Sequence, residues 1–314
     1  MKISITGSNG FLGSRLSNFL QSKGLEVLKV QRKKGLDIIN IKDCSKNTDW
    51  TKALIGVDTV IHCASVVHQN KKKSFEYYYE VNVQGTESLL KQAAKIGVKN
   101  FIFISTIKVN GEFSSQQNPF TKLSSPNPKD FYAISKLLAE NSIKEIARES
   151  GINFVIIRPT LIYGPGVKAN FFKFIKLVDS GIPLPFKNVK NKRSMLFIDN
   201  ICEFIFNIIC KNKYLNKTYL LADRDPISIS CLINILSENL QKTNRSFKVS
   251  LRLLNLLFNL FGMKNLAQRL IGSLVVDADY AYKEIQFFNP ISTEEGINET
   301  IQWYLKEKKK FYKS

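Results

Sequence analysis

MKISITGSNGFLGSRLSNFL, residues 1–20, joins a short apolar run to three glycines, Gly7, Gly10 and Gly13, and then to an amphipathic stretch. The run 2–6 reads as a strand and 11–23 as a helix, so the glycines fall in the turn between them. There Gly7 lets the chain turn tightly out of the strand, and Gly10 lets backbone approach a pyrophosphate. Gly13 lets the helix pack close against the sheet. The helix then directs its first amides, those of Phe11 and Leu12, and its positive dipole end at the phosphates. A glycine triplet alone is weak evidence. Between a strand and a helix, opening a βαβ unit, it predicts a bound dinucleotide.

Working outward, further apolar runs at 26–31, 37–42, 59–63, 100–105 and 153–158 predict strands. Helical spacing predicts helices over 76–96, 132–149 and 170–180. The strands are near-continuous apolar runs, as expected when helices cover both faces of a parallel sheet. The fold class is therefore α/β, a doubly wound parallel sheet. Past residue 164 the rhythm breaks: GPGVKAN and GIPLPF bring glycine and proline, and RSMLFIDN reads as a strand leading into a helix over 199–211. The remainder is mainly helical, with an apolar-rich segment at 250–272 and a last helix near 293–309. The division expected is a dinucleotide domain over 1–164, with 193–223 returning to it, and a smaller lobe from 165–192 and 224–314. Such a lobe would cover the sheet's carboxyl edge, where open α/β sheets bind ligands.

Composition narrows the class. The chain has 314 residues, 44% hydrophobic and 23% charged, with the balance of a soluble globular protein. Its five cysteines (Cys44, Cys63, Cys202, Cys210, Cys231) are scattered, and His62 and His68 are the only histidines, so no metal site is expected. Reduced, buried thiols and the absence of a signal-peptide pattern point to a cytoplasmic protein. No run approaches the roughly 20 apolar residues of a spanning helix. The formal charge of +20 is spread along the chain, which favours a solvated surface over specific nucleic-acid binding.

The second strand of a dinucleotide unit usually ends in an acid that holds the adenosine ribose. Gln31 stands in that slot here, followed by Arg32, Lys33 and Lys34. A missing carboxylate beside cations suits a 2′-phosphate, which tips the cofactor from NAD(H) toward NADP(H). The same cations also suit a solvated turn. Farther on, FYAISKLLAE sets Tyr132 and Lys136 four apart, on one helix face. A phenol is a poor acid–base group at neutral pH, and an ammonium one turn away would favour its ionised form. Thr106, 26 residues before Tyr132, ends a central strand where its hydroxyl could bond a substrate oxygen.

Through these residues the chain resembles the extended short-chain dehydrogenase/reductases that act on nucleotide sugars. The resemblance runs through TGSNGFLG, IHCAS, EVNVQGT, FISTIKVNG, YAISK, IIRPTLIYGPG and RSMLFIDN. It implies a Rossmann-type domain with a lobe for a nucleoside-diphosphate sugar, and Thr106, Tyr132 and Lys136 as the catalytic set. It implies cofactor contacts at Asp43 with Cys44 by the adenine, at Ala64, at Asn82 and at Pro159, beside those at the glycine turn and Arg32. Arg193 matches an arginine that reaches the diphosphate. A second such arginine is replaced by Lys283, which leaves that contact open. A homodimer through 76–96 and 132–149 is also implied.

Departures from the family pattern narrow the activity. Dehydratases carry an Asp-Glu pair after the catalytic threonine, whereas this chain has Ile107 and Lys108. STIKVNGE (105–112) and YGPGVKANF (163–171) resemble a subgroup that includes reductases of UDP-4-keto-6-deoxy-N-acetylhexosamines, which supply sugars for bacterial surface polysaccharide (O-antigen, lipopolysaccharide). In that subgroup Lys108, Asn110, Lys168 and Asn170 would lie near the UDP-sugar, although a turn at Asn110 and a surface role for Lys168 fit equally. The leading expectation is an NAD(P)H-dependent 4-ketoreductase. The alternative is a carbon-4 epimerase of UDP-N-acetylhexosamines that recycles its own NAD, and a third is a catalytically silent binding member. The 250–272 segment, punctuated by Arg252, Lys264 and Arg269, is expected as a helical lid on the lobe, with weak membrane-surface contact as the alternative.

Overall fold

The computed structural model describes residues 1–32, 35, 38–67, 74–213, 215–260, 262, 264–287 and 290–311. Lys33, Lys34 and His68 lie outside the described residues. The first strand, β1 (Lys2–Thr6), is buried beyond Lys2 and stands between two parallel neighbours, β2 (Glu26–Gln31) and β4 (Thr59–His62). Strand β3 (Ile38–Asn40) flanks β2, and β5 (Asn100–Ile104) and β6 (Asn153–Pro159) follow β4. With β9 (Lys217–Leu221) at the far edge, the order is 3-2-1-4-5-6-9, parallel throughout. Strands β7 (Leu161–Tyr163) and β8 (Met195–Phe197) form a separate parallel pair.

Two apolar layers cover the sheet. On one side α2 (Thr51–Leu54), α4 (Gly85–Ile96) and α5 (Phe131–Ser150) enclose a core around Trp50, Leu89, Phe101 and Ile143. On the other, α1 (Phe11–Ser22) buries Leu12, Leu16 and Leu20, each stabilising by about 1.5–3 kcal/mol. That core continues through α6 (Ala169–Asp179) and α7 (Ile198–Lys211). It reaches α8 (Ile229–Asn239), α11 (Asp279–Ile285) and α12 (Thr293–Phe311), so sheet and lobe share one apolar interior.

The expected elements are present with adjusted ends. The helix expected over 76–96 divides into α3 (Phe75–Tyr78), a wide π-turn over Tyr79–Gln84, and α4. That wide turn carries Asn82, whose side chain bonds the loop after β4. The strand expected at 37–42 is only three residues long, and β7 and β9 are additions to the reading. The segment 250–272 is two helices, α9 (Leu251–Leu260) and α10 (Lys264–Ile271), separated around Gly262, whose φ is +66°. Among the described residues no helix is long and apolar enough to cross a membrane, and no three His, Cys, Asp or Glu side chains cluster as metal ligands.

Candidate active site

The turn after β1 has the tight geometry that its glycines permit. Gly7 sits at φ +68°, and a Cβ there would lie 2.8 Å from the Ala64 nitrogen; at Gly13 it would lie 2.3 Å from the Gly7 carbonyl oxygen. Any side chain at either position would force β1, α1 and the end of β4 apart. Gly10 occupies the N-cap of α1, where it brings no side chain to satisfy the first-turn amides of Phe11 and Leu12. A strand-to-helix turn with no side-chain cap fits a dinucleotide pyrophosphate.

The carboxyl ends of β1 and β4 are stitched together beside this turn. The Thr6 hydroxyl lies 2.7 Å from His62 Nδ1 and accepts the Ala64 amide at 3.3 Å. Burial, reinforced by the positive charge of Lys136, pushes His62 down to about 3, so it remains neutral. The Asn82 side chain accepts the Val66 amide at 2.8 Å and donates to Ser135 Oγ at 3.0 Å. One amide thus fixes the loop after β4 against α5.

Helix α5 is fixed at both ends by local chemistry. The Asp130 carboxylate accepts the Ala133 amide at 2.8 Å, a cap that contributes about 1 kcal/mol, and Gly151 closes the helix in the left-handed region. The inward face presents Tyr132, Lys136 and Glu140, one turn apart and respectively 9%, 1% and 0% exposed. Tyr132 packs against Val66 and Tyr78, and its hydroxyl bonds Ser65. The Lys136 ammonium lies 3.9 Å from the Phe103 ring centroid. Burial pulls it down to about 7, against opposing pulls from Glu140, Cys63 and Cys44. Tyr132 differs from expectation: burial, with a smaller push from Asp130, raises its pKa, and the Ser65 bond offsets only part of that.

Thr106 is brought to the same edge by a buried polar cluster. Ser105, its neighbour, donates to Glu140 at 2.5 Å, and Arg158 grips the same carboxylate at 2.5–3.2 Å. Arg158 also donates to Asn110 at 2.9 Å. Lys108 pairs with Asp130 at 2.5 Å and Glu112 at 3.0 Å. Together these tie residues 105–112 to the start and middle of α5. Reading the sequence missed Ser65, Glu140 and Arg158; a charged pair four and 22 residues beyond Lys136 carries no local motif.

The other expected residues fall into two groups. Asp43 accepts from Ser45 at 3.1 Å and from Thr48 at 2.6 Å, shaping its loop, while buried Cys44 lies against Gly85. Arg32 is exposed beside β2, and Pro159 ends β6. Half-buried Arg193 donates to the Gly272 carbonyl at 3.1 Å. Burial lowers its pKa and nearby Arg269 lowers it further, against Glu112. Four further residues expected at the substrate are placed as follows. Asn110 is 2% exposed, accepts from Arg158 and donates to the Ser124 carbonyl. Lys283 is solvent-facing on α11 and pairs with Asp279 at 3.8 Å. Lys168 and Asn170 are exposed around the start of α6.

A cleft of about 480 Å³ lies elsewhere, between α5, β9 and α11, and is lined by none of Thr106, Tyr132 or Lys136. Three of its four lining cations are engaged, Arg158 with Glu140, Lys217 with Glu284, and Lys122 over the Tyr280 ring at 5.2 Å, and the fourth, Lys144, is exposed.

Residues 3–222 match the NAD dependent epimerase/dehydratase family. The chain is 37% identical over 313 residues to a UDP-glucose 4-epimerase of Vibrio cholerae, covering 96% of this chain and 95% of that one. It is 30% identical over 247 residues to an N-acetyl-α-D-glucosaminyl-diphospho-ditrans,octacis-undecaprenol 4-epimerase of Escherichia coli O157:H7, covering 76% and 72%. In fold it is similar to a UDP-glucuronic acid 4-epimerase of Bacillus cereus solved with NAD, with a TM-score of 0.78, 22% identity and 96% of each chain covered. By sequence, and with a seven-stranded sheet to match, the chain belongs to the NAD dependent epimerase/dehydratase family.

Proposed function

We propose that the chain reduces the 4-keto group of a UDP-4-keto-6-deoxy-N-acetylhexosamine, with NAD(P)H as reductant. The observation that carries this reading is the pairing of Tyr132 and Lys136 on the inward face of α5 with Thr106 at the end of β5, in a site without the dehydratase carboxylates. Ile107 is buried and Lys108 is committed to Asp130 and Glu112, so neither can supply that acid–base pair.

The glycine turn and the first amides of α1 would hold the pyrophosphate; Asp43, Ala64, Asn82 and Pro159 would line the rest of the dinucleotide. Bound there, NAD(P)H supplies the hydride that adds to the sugar's carbonyl carbon. Thr106 orients the carbonyl oxygen by a hydrogen bond. Tyr132 donates its phenolic proton to that oxygen, forming the product hydroxyl. Lys136, whose pKa burial has brought to about 7, stabilises the phenolate left behind. Arg193 and Arg269 would face the substrate's diphosphate. At the ribose edge, Gln31 in the acid's usual slot with Arg32 beside it supports NADP(H). A homodimer through α4 and α5 belongs to the same reading.

A second reading is specifically favoured by the Vibrio and Escherichia relatives, both named as 4-epimerases: the same residues would oxidise and re-reduce carbon 4 of a UDP-N-acetylhexosamine. The purified protein separates the two. The reductase consumes NADPH or NADH when given the 4-keto sugar, and gives one 4-hydroxy epimer. The epimerase releases stoichiometric NAD on denaturation and equilibrates UDP-N-acetylhexosamines without added cofactor. Failure to oxidise either reduced nucleotide with the 4-keto sugar would overturn the first reading.

A further inference from the structure

We propose that α9 is a membrane-docking element that seats the protein on an anionic bilayer surface. The inner side of α9 belongs to the fold: Leu254 is 3% exposed and Phe258 packs on the lobe core. The outer side does not. Leu253, Leu256, Leu257 and Leu260, spaced i, i+3, i+4 and i+7, form one stripe and are 48%, 54%, 40% and 72% exposed. This single helix is therefore apolar on two sides, and among the described residues the leucine stripe stays exposed while the opposite side packs on the lobe core. A contiguous exposed apolar stripe marks a contact surface rather than scattered surface leucines.

Charge identifies the occupant. From 239 to 276 the chain contains six cations and no aspartate or glutamate. Lys242, Arg245 and Lys248 are exposed on the extended segment that leads into α9, where Phe247 is also 46% exposed. Arg252 flanks the leucine stripe on the helix itself and is exposed. Leucines toward the acyl boundary with lysine and arginine at headgroup level are the chemistry of an interfacial helix. A second copy is the poorer occupant, because a two-fold contact would set this acid-free tract against itself. The inference goes beyond the proposed reaction and does not depend on it.

Cosedimentation of the full chain with phosphatidylcholine vesicles, with and without phosphatidylglycerol, tests the proposal. The wild type should partition onto the phosphatidylglycerol vesicles, less as salt rises, and little onto the neutral ones. The double variant Leu256→Gln/Leu260→Gln should lose about tenfold or more in partitioning, with melting temperature and dinucleotide binding unchanged. Arg252→Gln should lose about fivefold. Three results overturn the proposal. In the first, the wild type does not bind phosphatidylglycerol vesicles. In the second, the leucine variant binds them equally, which would assign adhesion to diffuse positive charge. In the third, sedimentation velocity shows a wild-type dimer that the leucine variant disperses, without vesicle binding by either.

Discussion

Helices α5 and α9 depart from ordinary patterning in opposite directions. The inward face of α5 carries a phenol, an ammonium and a carboxylate where a core helix would carry leucine, and Ser65, Phe103 and Arg158 respectively engage them. The outward face of α9 carries leucines where a surface helix would carry polar groups, and no described residue covers them. Buried polarity is costly unless satisfied, and exposed apolarity is unexplained unless covered. The first helix resolves its cost inside the molecule. The second points outside it.

Substitutions on α5 should have the largest effects. Tyr132→Phe keeps the ring packing against Val66 and Tyr78 but removes the transferable proton. Turnover should fall by about a hundred- to ten-thousandfold while dinucleotide binding, followed by quenching of protein fluorescence, is retained. Glu140→Gln leaves Arg158 buried without its counter-charge and should cost about 3–5 kcal/mol of unfolding free energy in urea. Gly7→Ala demands a left-handed alanine with its Cβ against Ala64, and should cost about 1–3 kcal/mol together with dinucleotide affinity.

Protonation on α5 has a gentler effect than these substitutions. The buried Lys136 titrates near 7, below its ordinary 10.5, so the unfolded chain holds the extra proton between those values. Stability contributed by this group therefore rises with pH across that window, and its burial penalty is fully present below it. Relative to wild type, Lys136→Met should flatten the pH dependence of the melting temperature above pH 7. At the other extreme, Leu260→Gln on α9 should change unfolding free energy by less than about 0.5 kcal/mol, because that side chain is already 72% exposed.

These expectations also mark what could be read from the chain alone. Strand β1, the glycine turn and α1 are legible because each is encoded within about one turn or strand of sequence, and the Tyr132–Lys136 face follows from helical periodicity. The polar cluster that ties Thr106 to α5 is not legible in this way. Ser105, Glu140, Arg158 and Asn110 come from separate segments and meet only once β5, β6 and α5 have packed. Strand β9 escaped because KTYLL is short and its pairing partner, β6, is distant in sequence. The phenol's raised pKa could not be read either, since burial is a property of the assembled site. For 250–272, composition showed that the segment was apolar but not which leucines would face inward.

The late arrival of β9 has a consequence for biosynthesis. Val155 on β6 pairs with Lys217, so every residue of β7, α6, β8 and α7 must be made before the sheet's last strand exists. Until then β6 presents a bare row of amides and carbonyls, the template on which nascent chains stick to one another. A ribosome paused in that interval would hold its most adhesive product, and a chaperone that shields β6 would have the most to do there.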